Sequence, residues 1–544
     1  MITIPDQSIA RPASLCSIMA WMNYLLYSAG AIVAILSFLF AQLLRLKFTE
    51  ARQPIFEKVD SVHPSPYWCP PTFARNVTKS IWSTQRFATE GYLKFSKALD
   101  RPFALLTTWV GGSTVLVLPP SKIPMLTRPD KMKDGSEWTN LHGLIATTQL
   151  AYVIDDANIY ENVLHFDVVR RNMAHRDMNR LAPVTADEIE QGFLDSWGTD
   201  TEWKTINGWD GTGKIISRAA QRILIGLPLS RDEKMLETSR LYATSLLVGG
   251  AIINCFPPWM RWVAAPVIAL RARYYQSKYV KMLVPVVEER IVLLNRGQQE
   301  GPDDFLQWML QMCADNPEQL EAERIALRVA SLLTPLIFAI CYVFSSCILD
   351  IHSSPYSAEI LAGLKEECTR VSAEHGGFHT SAAVDALKRC DSVLRESMRV
   401  SDVQVTNIFR DVTAGEIDLG NNLRVGPGVR MLFPTQDIHM DPDNYPDPKK
   451  FDAFRFSRPF ENADIKAEGE QLLIATPTPT FMPFGYGRHA CPGRWFAAQS
   501  MKQALAYLVL HYDVELVGPP PKRWALLNMM IPPVDAKIKL RWKA

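Results

Sequence analysis

Apolar residues recur at helical spacing through most of the central chain, from about residue 150 to residue 400. The segment Met282–Leu294 is one example, in which apolar positions three and four residues apart surround a charged patch. A second apolar segment, Ala322–Ile351, is long enough to form a single long helix. The pattern therefore predicts that helices make up most of the fold.

Short runs of β-type residues flank the helical region. Leu105–Val110 and Thr114–Leu118 are separated by the pair Gly111-Gly112, which is typical of a hairpin turn. Further short strands are predicted at 405–435 and near 527–541. The chain is therefore predicted to be mainly α with small β-sheets.

The N-terminal region contains an uncharged segment, Ile18–Leu44, which is long enough to cross the roughly 30 Å hydrocarbon core of a bilayer. Arg45, Lys47 and Arg52 follow it and favour a cytosolic position for the rest of the chain. A cleaved signal peptide is the alternative, but the apolar run exceeds the roughly 7–15 residues usual there. We therefore expect a single-pass signal anchor over 18–44 in the endoplasmic reticulum membrane, preceded by a lumenal segment, 1–17.

The helical pattern continues without a break beyond one proline-bearing linker, which predicts one large catalytic body. The proline-bearing, basic segment 45–71 is predicted to be a linker, and 72–544 a single catalytic domain. Of the 544 residues, 58 are Lys or Arg and 57 are Asp or Glu. This balance lacks the basic excess of a nucleic-acid-binding protein, so no nucleic-acid partner is expected.

One of the nine cysteines stands in a distinctive context. Cys491 lies in the sequence FMPFGYGRHACPGRWFA, and no two cysteines have the spacing of a zinc ribbon. Glycines allow a backbone to approach a flat cofactor closely, and a thiolate held by backbone N–H groups can be an axial iron ligand. The other positions predicted to contact the cofactor in this loop are Phe484, Gly485, Gly487 and Gly493.

Together with two upstream motifs, this loop resembles the cysteine-ligand loop of the cytochrome P450 family, in its membrane-anchored fungal form. Glu396 and Arg399, in DSVLRESMR, look like the family's E-x-x-R pair, and their spacing places both on one helix face. Arg455, in FDAFRF, resembles the arginine that completes a Glu–Arg–Arg cluster through bidentate bonds.

The resemblance implies a haem-thiolate monooxygenase that contains haem b and receives NADPH electrons through a membrane-bound flavoprotein reductase. It implies a lipophilic small-molecule substrate, such as a terpenoid, polyketide or alkaloid intermediate of fungal secondary metabolism. A basic docking face for the reductase is predicted from four residues: Lys449, Lys450, Arg488 and Arg494.

The resemblance also implies partners for the haem propionates. His489 stands where the family usually has an arginine two residues before the cysteine, and it can still donate to a carboxylate. Arg410 matches the propionate-binding arginine that follows the E-x-x-R helix. The family's W-x-x-x-R motif is not recognisable, and Arg170 or Arg171 is the nearest substitute.

The predicted helix over Ala322–Ile351 corresponds to the long central helix of the family. It departs from the family at the position where an acid or amide and a threonine would relay protons. That position falls on Phe338, Ala339 and Ile340, none of which carries an acid or a hydroxyl. The hydroxyl of Thr334 is expected to bond to its own helix backbone, while Pro335 would kink the helix and free a carbonyl that could hold water.

Three functional hypotheses therefore stay open. The first is a monooxygenase in which water or a substrate hydroxyl relays protons. The second is a haem-thiolate isomerase, dehydratase or peroxide-type enzyme that needs no reductase. The third is a membrane-tethered haem carrier or sensor without turnover.

Overall fold

Helices make up most of the chain, as predicted. The computed structural model describes residues 55–62, 70–107, 114–140, 150–256, 258–298, 300–461 and 472–543. The α-helices are α1 Ile55–Lys58, α2 Pro70–Gly91, α3 Leu150–Val153, α4 Asn158–Glu161, α5 Leu164–Asn172, α6 Met178–Trp197, α7 Gly208–Ile225, α8 Glu233–Cys255, α9 Pro258–Asn295, α10 Phe305–Cys313, α11 Ala322–Leu333, α12 Ile340–Ser353, α13 Ser357–His375, α14 Ser381–Ala386, α15 Lys388–Val400, α16 Thr435–His439, α17 Arg458–Glu461 and α18 Arg494–His511.

The strands are short and lie mostly at the two ends of the described chain. They are β1 Asp60–Ser61, β2 Phe103–Leu106, β3 Thr114–Val117, β4 Glu137–Thr139, β5 Lys204–Asn207, β6 Asn407–Ala414, β7 Ile417–Gly420, β8 Leu423–Val425, β9 Arg430–Phe433, β10 Tyr512–Leu516, β11 Ala525–Leu526, β12 Met529–Met530 and β13 Lys537–Trp542.

The largest sheet has six strands in the order β1-β2-β3-β9-β6-β4. Strands β2 and β3 pair antiparallel, with Phe103 opposite Val117, which confirms the predicted pairing of these two runs. A second sheet, β10-β13-β5, joins the C-terminal strands to the central helices. The expectation of a mainly α fold with small sheets is therefore confirmed.

The predicted boundary of the catalytic body is wrong, because the body begins before residue 72. Residues 55–61 lie within the predicted linker but form α1 and β1, and β1 pairs in parallel with β2. Pro70 and Pro71, also assigned to the linker, start α2, where the missing proline N–H is not needed. The lumenal segment 1–17, the anchor 18–44 and the rest of the linker lie outside the described residues.

Polar side chains fix the ends of several helices. The side chains of Asn207, Asp232, Asp304 and Thr380 each accept a hydrogen bond from a backbone N–H in the first turn of the helix that follows. Gly376 ends α13 in the left-handed conformation, with φ of +68°. Local sequence therefore determines where these helices begin or end.

The long apolar segment predicted as the central helix is continuous from Ala322 to Ser353. It consists of α11, a π-helical stretch at Thr334–Ala339, and α12. Within the described ranges it is the one helix apolar and long enough to span a membrane, but most of it is buried inside the protein. Its composition is therefore that of a core helix.

A mostly buried carboxylate fixes this central helix against α15. Asp350 accepts hydrogen bonds from the hydroxyls of Ser397, at 2.6 Å, and Ser401, at 2.7 Å. The guanidinium of Arg523 contacts its other oxygen at 2.6 Å. Because α15 also carries Glu396, these bonds set the distance between the central helix and the rest of the candidate site.

Candidate active site

The loop that carries Cys491 is shaped by glycines and by one short hydrogen bond. The N–H of Cys491 donates to the carbonyl of Phe484 at 2.7 Å, which closes the loop on itself. Gly485 and Gly487 have φ of +73° and +71°, a region that other residues rarely adopt. A Cβ at Gly487 would also overlap the carbonyl oxygen of Leu126. The glycine spacing is therefore required by backbone geometry.

The thiol of Cys491 is half-buried at the start of α18. Burial raises the pKa of this thiol, while a hydrogen bond from the Gly493 N–H and the charge of Arg494 act in the opposite direction. A Cβ atom added at Gly493 would lie 3.8 Å from a methyl group of Val169 in α5, so α5 packs against the same loop. The protein thus offers the sulfur a donor and a cation, as an anionic ligand requires.

Arg494, one of the four residues predicted to form the docking face, is partly exposed and bonds to backbone carbonyls. Its Nε donates to the carbonyl of Ala475 at 3.0 Å, and its Nη1 donates to the carbonyl of Cys491 at 3.0 Å. Burial lowers the pKa of this guanidinium. Two of its nitrogens therefore bond to nearby backbone, whereas Arg488, Lys449 and Lys450 are exposed.

Glu396 lies at the centre of a buried cluster of charged groups. Its two carboxylate oxygens each accept from Arg399, at 2.8 Å, in a bidentate pair. Arg455 Nε lies 3.3 Å from both oxygens, and the N–H of Asp452 donates at 3.0 Å. Glu396 and Arg399 have no exposed surface. The structure therefore brings together the three residues that the motifs single out.

Sequence reasoning missed His439, which connects this cluster to the cysteine loop. Arg399 Nη1 donates to the carbonyl of His439 at 2.8 Å. The His439 Nε2 accepts from the N–H of Met482 at 2.9 Å, so the ring proton is on Nδ1, 2.9 Å from a carboxylate oxygen of Asp402. The Glu396 cluster is thereby linked to the strand-like segment that leads into the loop.

Arg395, next to Glu396, is a second residue that sequence reasoning missed. Its guanidinium lies 4.7 Å from the ring centre of Phe456 and 3.8 Å from that of Phe481. It donates to the carbonyls of Leu473 and Thr476, and burial lowers its pKa to about 10. The sequence offered only its position next to Glu396 as an indication of this role. Its partners are backbone carbonyls and aromatic faces, which form no recognisable motif with it.

Arg410 presents unused hydrogen-bond donors in the same region. One of its nitrogens donates to the carbonyl of Phe409 at 2.8 Å, but Nε and Nη2 are buried with no partner among the described residues. Burial lowers the pKa of Arg410 to about 10, partly offset by the charge of Asp130. A buried guanidinium with two free donors is suited to bind a carboxylate.

His489 and Arg170 lie near Arg410, although each already has an acidic partner. His489 Nε2 is 2.6 Å from Asp130, and burial lowers the pKa of the imidazole against the effect of that carboxylate. The charges of Arg410 and Arg170 lower it further, which shows that the three groups are close. Arg170 itself pairs with Asp167 on α5 at 2.6 Å and is about half exposed. Arg410 is therefore the better placed anion-binding group.

The central helix has two different faces at the position where a proton relay is expected. Phe338 packs edge-on against Trp209 of α7, with ring centres 5.3 Å apart. Pro335 and Ala339 lie on the more accessible side, while Ile340 is buried. No acid or hydroxyl occupies 338–340. The expectation that the Thr334 hydroxyl bonds to its helix backbone is wrong, because this buried oxygen has no partner in the described chain.

Replacing Glu396 by Gln should destabilise the protein by about 3 kcal/mol or more, because the buried Arg399 charge would lose its counter-charge. Equilibrium urea unfolding followed by circular dichroism would measure the loss. Glu374→Gln is the matched control, because Glu374 pairs with Arg370 at 3.0 Å and both side chains are exposed. We expect this substitution to change the free energy of unfolding by less than about 1 kcal/mol. Equal effects of the two substitutions would contradict the role assigned to the buried cluster.

Comparison with known proteins identifies the family of the chain. The cytochrome P450 family model matches residues 185–540. The cytochrome P450 monooxygenase gloP of Glarea lozoyensis is 32% identical over 497 residues, which cover 87% of this chain and 89% of the relative. The cytochrome P450 monooxygenase htyF of Aspergillus rugulosus is 34% identical over 469 residues, 82% of this chain and 67% of that protein.

Solved structures share the fold at low sequence identity. The cytochrome P450DA haem domain has a TM-score of 0.63 and 17% identity, over 89% of this chain and 98% of its own. The family and its fold imply haem as the cofactor and a redox partner that supplies NADPH electrons. The chain therefore belongs to the cytochrome P450 family, and it is a haem-dependent oxidoreductase.

Proposed function

We propose that the protein is a monooxygenase that inserts one oxygen atom from O₂ into a lipophilic small molecule, with Cys491 as the residue that would hold the iron of haem b. A thiolate-ligated haem, when bound, supplies the oxidising chemistry for this insertion. The observation that carries the proposal is the Cys491 loop, held by the Phe484 carbonyl and connected to the Glu396 cluster. Relatives named as fungal monooxygenases support the reaction class.

The residues that surround Cys491 fit the two ends of a haem. The sulfur has a backbone donor in Gly493 and a nearby cation in Arg494. Arg410 has two buried donors without a partner in the described part of the chain, which is the arrangement that a propionate would satisfy. His489 and Arg170 add donors at the same place.

The apolar side of the central helix supports a lipophilic substrate. Pro335 is exposed, and Leu336 and Ala339 are partly exposed, although the flanking turns of the same helix are almost wholly buried. Apolar surface of this kind binds hydrocarbon better than it binds polar ligands. We infer that the substrate is an intermediate of fungal secondary metabolism, of terpenoid, polyketide or alkaloid origin.

We also infer that the redox partner is an NADPH-dependent flavoprotein reductase in the same membrane. Arg488, the middle residue of the 3₁₀ turn Gly487–His489 that precedes Cys491, is exposed. Lys449 and Lys450 are exposed on the segment that follows the Arg399 contacts. These three cations can attract an acidic partner to the cysteine side of the molecule.

The reaction class is tested by a carbon monoxide difference spectrum of the reduced protein and by NADPH oxidation with a purified reductase. Cys491→Ser should abolish the thiolate-type spectrum, whereas Cys255→Ser, which changes another half-buried free thiol, should retain it. Persistence of that spectrum in Cys491→Ser would refute the ligand assignment. A normal spectrum without NADPH oxidation would favour the isomerase or carrier hypotheses.

The metabolite that accumulates in a strain lacking this gene would identify the substrate.

Arg410→Leu should accelerate haem loss by roughly tenfold to a hundredfold, because a charge-assisted hydrogen bond contributes about 1.5–3 kcal/mol. Transfer of haem to apomyoglobin would measure the rate. The apoprotein should unfold at the same or a higher urea concentration, since the substitution removes a buried charge that has few protein partners. Arg424→Leu, at an exposed ion pair with Glu416, is the control and should leave haem loss unchanged.

We infer a membrane location from the predicted anchor and from an apolar surface on α9. Trp262, Val267, Leu270 and Tyr274 are 62–72% exposed, and their spacing places them along one side of that helix. Arg261, beside Trp262, lies close enough to Arg430 of β9 for the two charges to interact, so this surface is near the sheet that includes β1. The N-terminal anchor would therefore hold this surface close to lipid.

The full chain should stay with membranes after high-salt and alkaline washes, because an inserted apolar helix of this length does not dissociate. A chain that starts at Arg45 should be released by alkaline washing but still bind vesicles weakly through the α9 surface. Adding Leu270→Glu to the shortened chain should remove that residual binding. Release of the full chain by the same washes would contradict an uncleaved anchor.

A further inference from the structure

Two buried cysteines from different helices are in direct contact. Cys368 lies on α13 and Cys390 lies in the first turn of α15, and their Sγ atoms are 3.6 Å apart. Neither residue has exposed surface. Among the cysteines that the structure describes, no other two sulfurs are this close. A disulfide has a sulfur–sulfur distance of about 2.05 Å, so the two sulfurs need to approach by about 1.5 Å to form one.

A second contact between the same two helices holds the cysteines side by side. Glu367, the neighbour of Cys368 on α13, accepts hydrogen bonds from the N–H groups of Arg389, at 2.7 Å, and Cys390, at 3.0 Å. This carboxylate satisfies N–H groups at the start of α15, which have no partner within their own helix. The position of Cys390 relative to α13 is therefore fixed by the backbone as well as by the sulfur contact.

A solvent-open cavity of about 390 Å³ leads towards Cys368. Leu361 and Lys365 of α13 line it, and Cys368 continues the same row of that helix three residues after Lys365. Lys365 is exposed, so the cavity is in contact with water at this position. Hydrogen peroxide is small and uncharged, and the cavity brings it to within one helical turn of the buried sulfurs.

Two lysines give the surroundings of Cys368 a positive charge. Lys543 lines the cavity together with Lys365, and burial lowers the pKa of its ammonium group. The charge of Lys365 lowers that pKa further, whereas the charges of Asp513 and Cys368 raise it, which shows that these groups are close together. Nearby cations favour the thiolate form of a cysteine, which is the form that reacts with peroxide.

Cys390 has the opposite tendency. Its contact with the Cys368 sulfur and its burial raise the pKa of its thiol well above the ordinary value. Cys390 therefore keeps its proton, and Cys368 is the member of the pair that is placed to react first.

We propose that Cys368 and Cys390 form a redox modification site, which hydrogen peroxide converts to a reversible disulfide between α13 and α15. The Cys368 thiolate attacks one peroxide oxygen and becomes a sulfenic acid, and the departing hydroxide takes up the former thiol proton as water. The Cys390 sulfur then attacks the sulfenic sulfur, so that the S–S bond forms, the S–O bond breaks and a second water leaves with the Cys390 proton. One peroxide and two thiols thus give one disulfide and two waters. The bond would tie α13 to the helix that carries Glu396, and it goes beyond the proposed function because it does not involve the haem.

Peptide mass mapping of the purified full-length, haem-loaded protein tests the site. After brief treatment with hydrogen peroxide and alkylation of the remaining thiols, a peptide pair joined through Cys368 and Cys390 should appear, lighter by two hydrogen atoms than the two reduced peptides. Dithiothreitol should separate the pair. Cys313, a buried free thiol, is the internal control and should remain alkylated as a thiol. Recovery of Cys368 and Cys390 as free thiols, or as sulfinic or sulfonic acids without the joined pair, would overturn the proposal.

Two variants test the order of the steps with dimedone, which labels sulfenic acids. Cys390→Ser leaves the Cys368 sulfenic acid without a second thiol, so a dimedone adduct should accumulate at Cys368. Cys368→Ser should give no adduct at Cys390. The reverse labelling would contradict the assigned order.

A third variant tests the approach through the cavity. Lys365→Gln should slow formation of the joined peptide pair by about threefold or more, because it removes a positive charge beside Cys368. Lys281→Gln, at an exposed position on α9, is the matched control and should react at the wild-type rate. Equal rates in the two variants would refute the role assigned to the cavity.

Discussion

The arrangement of the site depends on the burial of one carboxylate, that of Glu396. Removing a charged group from water costs several kcal/mol, and it is tolerated only when the lost hydration is replaced by well-placed donors. Arg399, Arg455 and the N–H of Asp452 provide those donors. Because Arg399 lies on α15 while Asp452 and Arg455 lie on the segment before α17, satisfying the carboxylate fixes these two parts of the chain relative to one another.

Helix α15 connects to other parts of the chain through four side chains within the five residues 395–399. Arg395 binds the segment before the cysteine loop, and Glu396 binds the segment around Arg455. Ser397 binds Asp350 of the central helix, and Arg399 binds the backbone of His439. Every one of these groups is buried, so an alternative packing would leave several of them unsatisfied. We infer that α15 gives the site its specific geometry, beyond its contribution to the core.

Sequence reasoning succeeded where a motif expresses a backbone or helix-face requirement. The glycines before Cys491 are needed for positive φ, and Glu396 and Arg399 are three residues apart on one helix face. Sequence reasoning failed where the partner is a backbone group, because the spacing of side chains does not show which distant carbonyl or N–H a side chain contacts. His439, Arg395 and Arg494 are all of that kind, and Thr334 was misassigned because its helix has a π-helical stretch there. The start of the catalytic body was also placed too late, since a two-residue strand such as β1 leaves almost no pattern.

Two groups at the site, Cys491 and Arg410, lack a full set of partners in the described chain, and haem would supply a partner to each. The Cys491 thiol has its pKa raised by burial, and a single N–H and Arg494 offset that effect only in part. Arg410 keeps its charge in a buried position with one backbone acceptor. Iron would stabilise the thiolate, and a propionate would satisfy the guanidinium, so haem binding relieves both costs in the same step. Since the folded chain alone holds these two groups in place, haem should bind the native state far better than the unfolded one and thereby stabilise the fold.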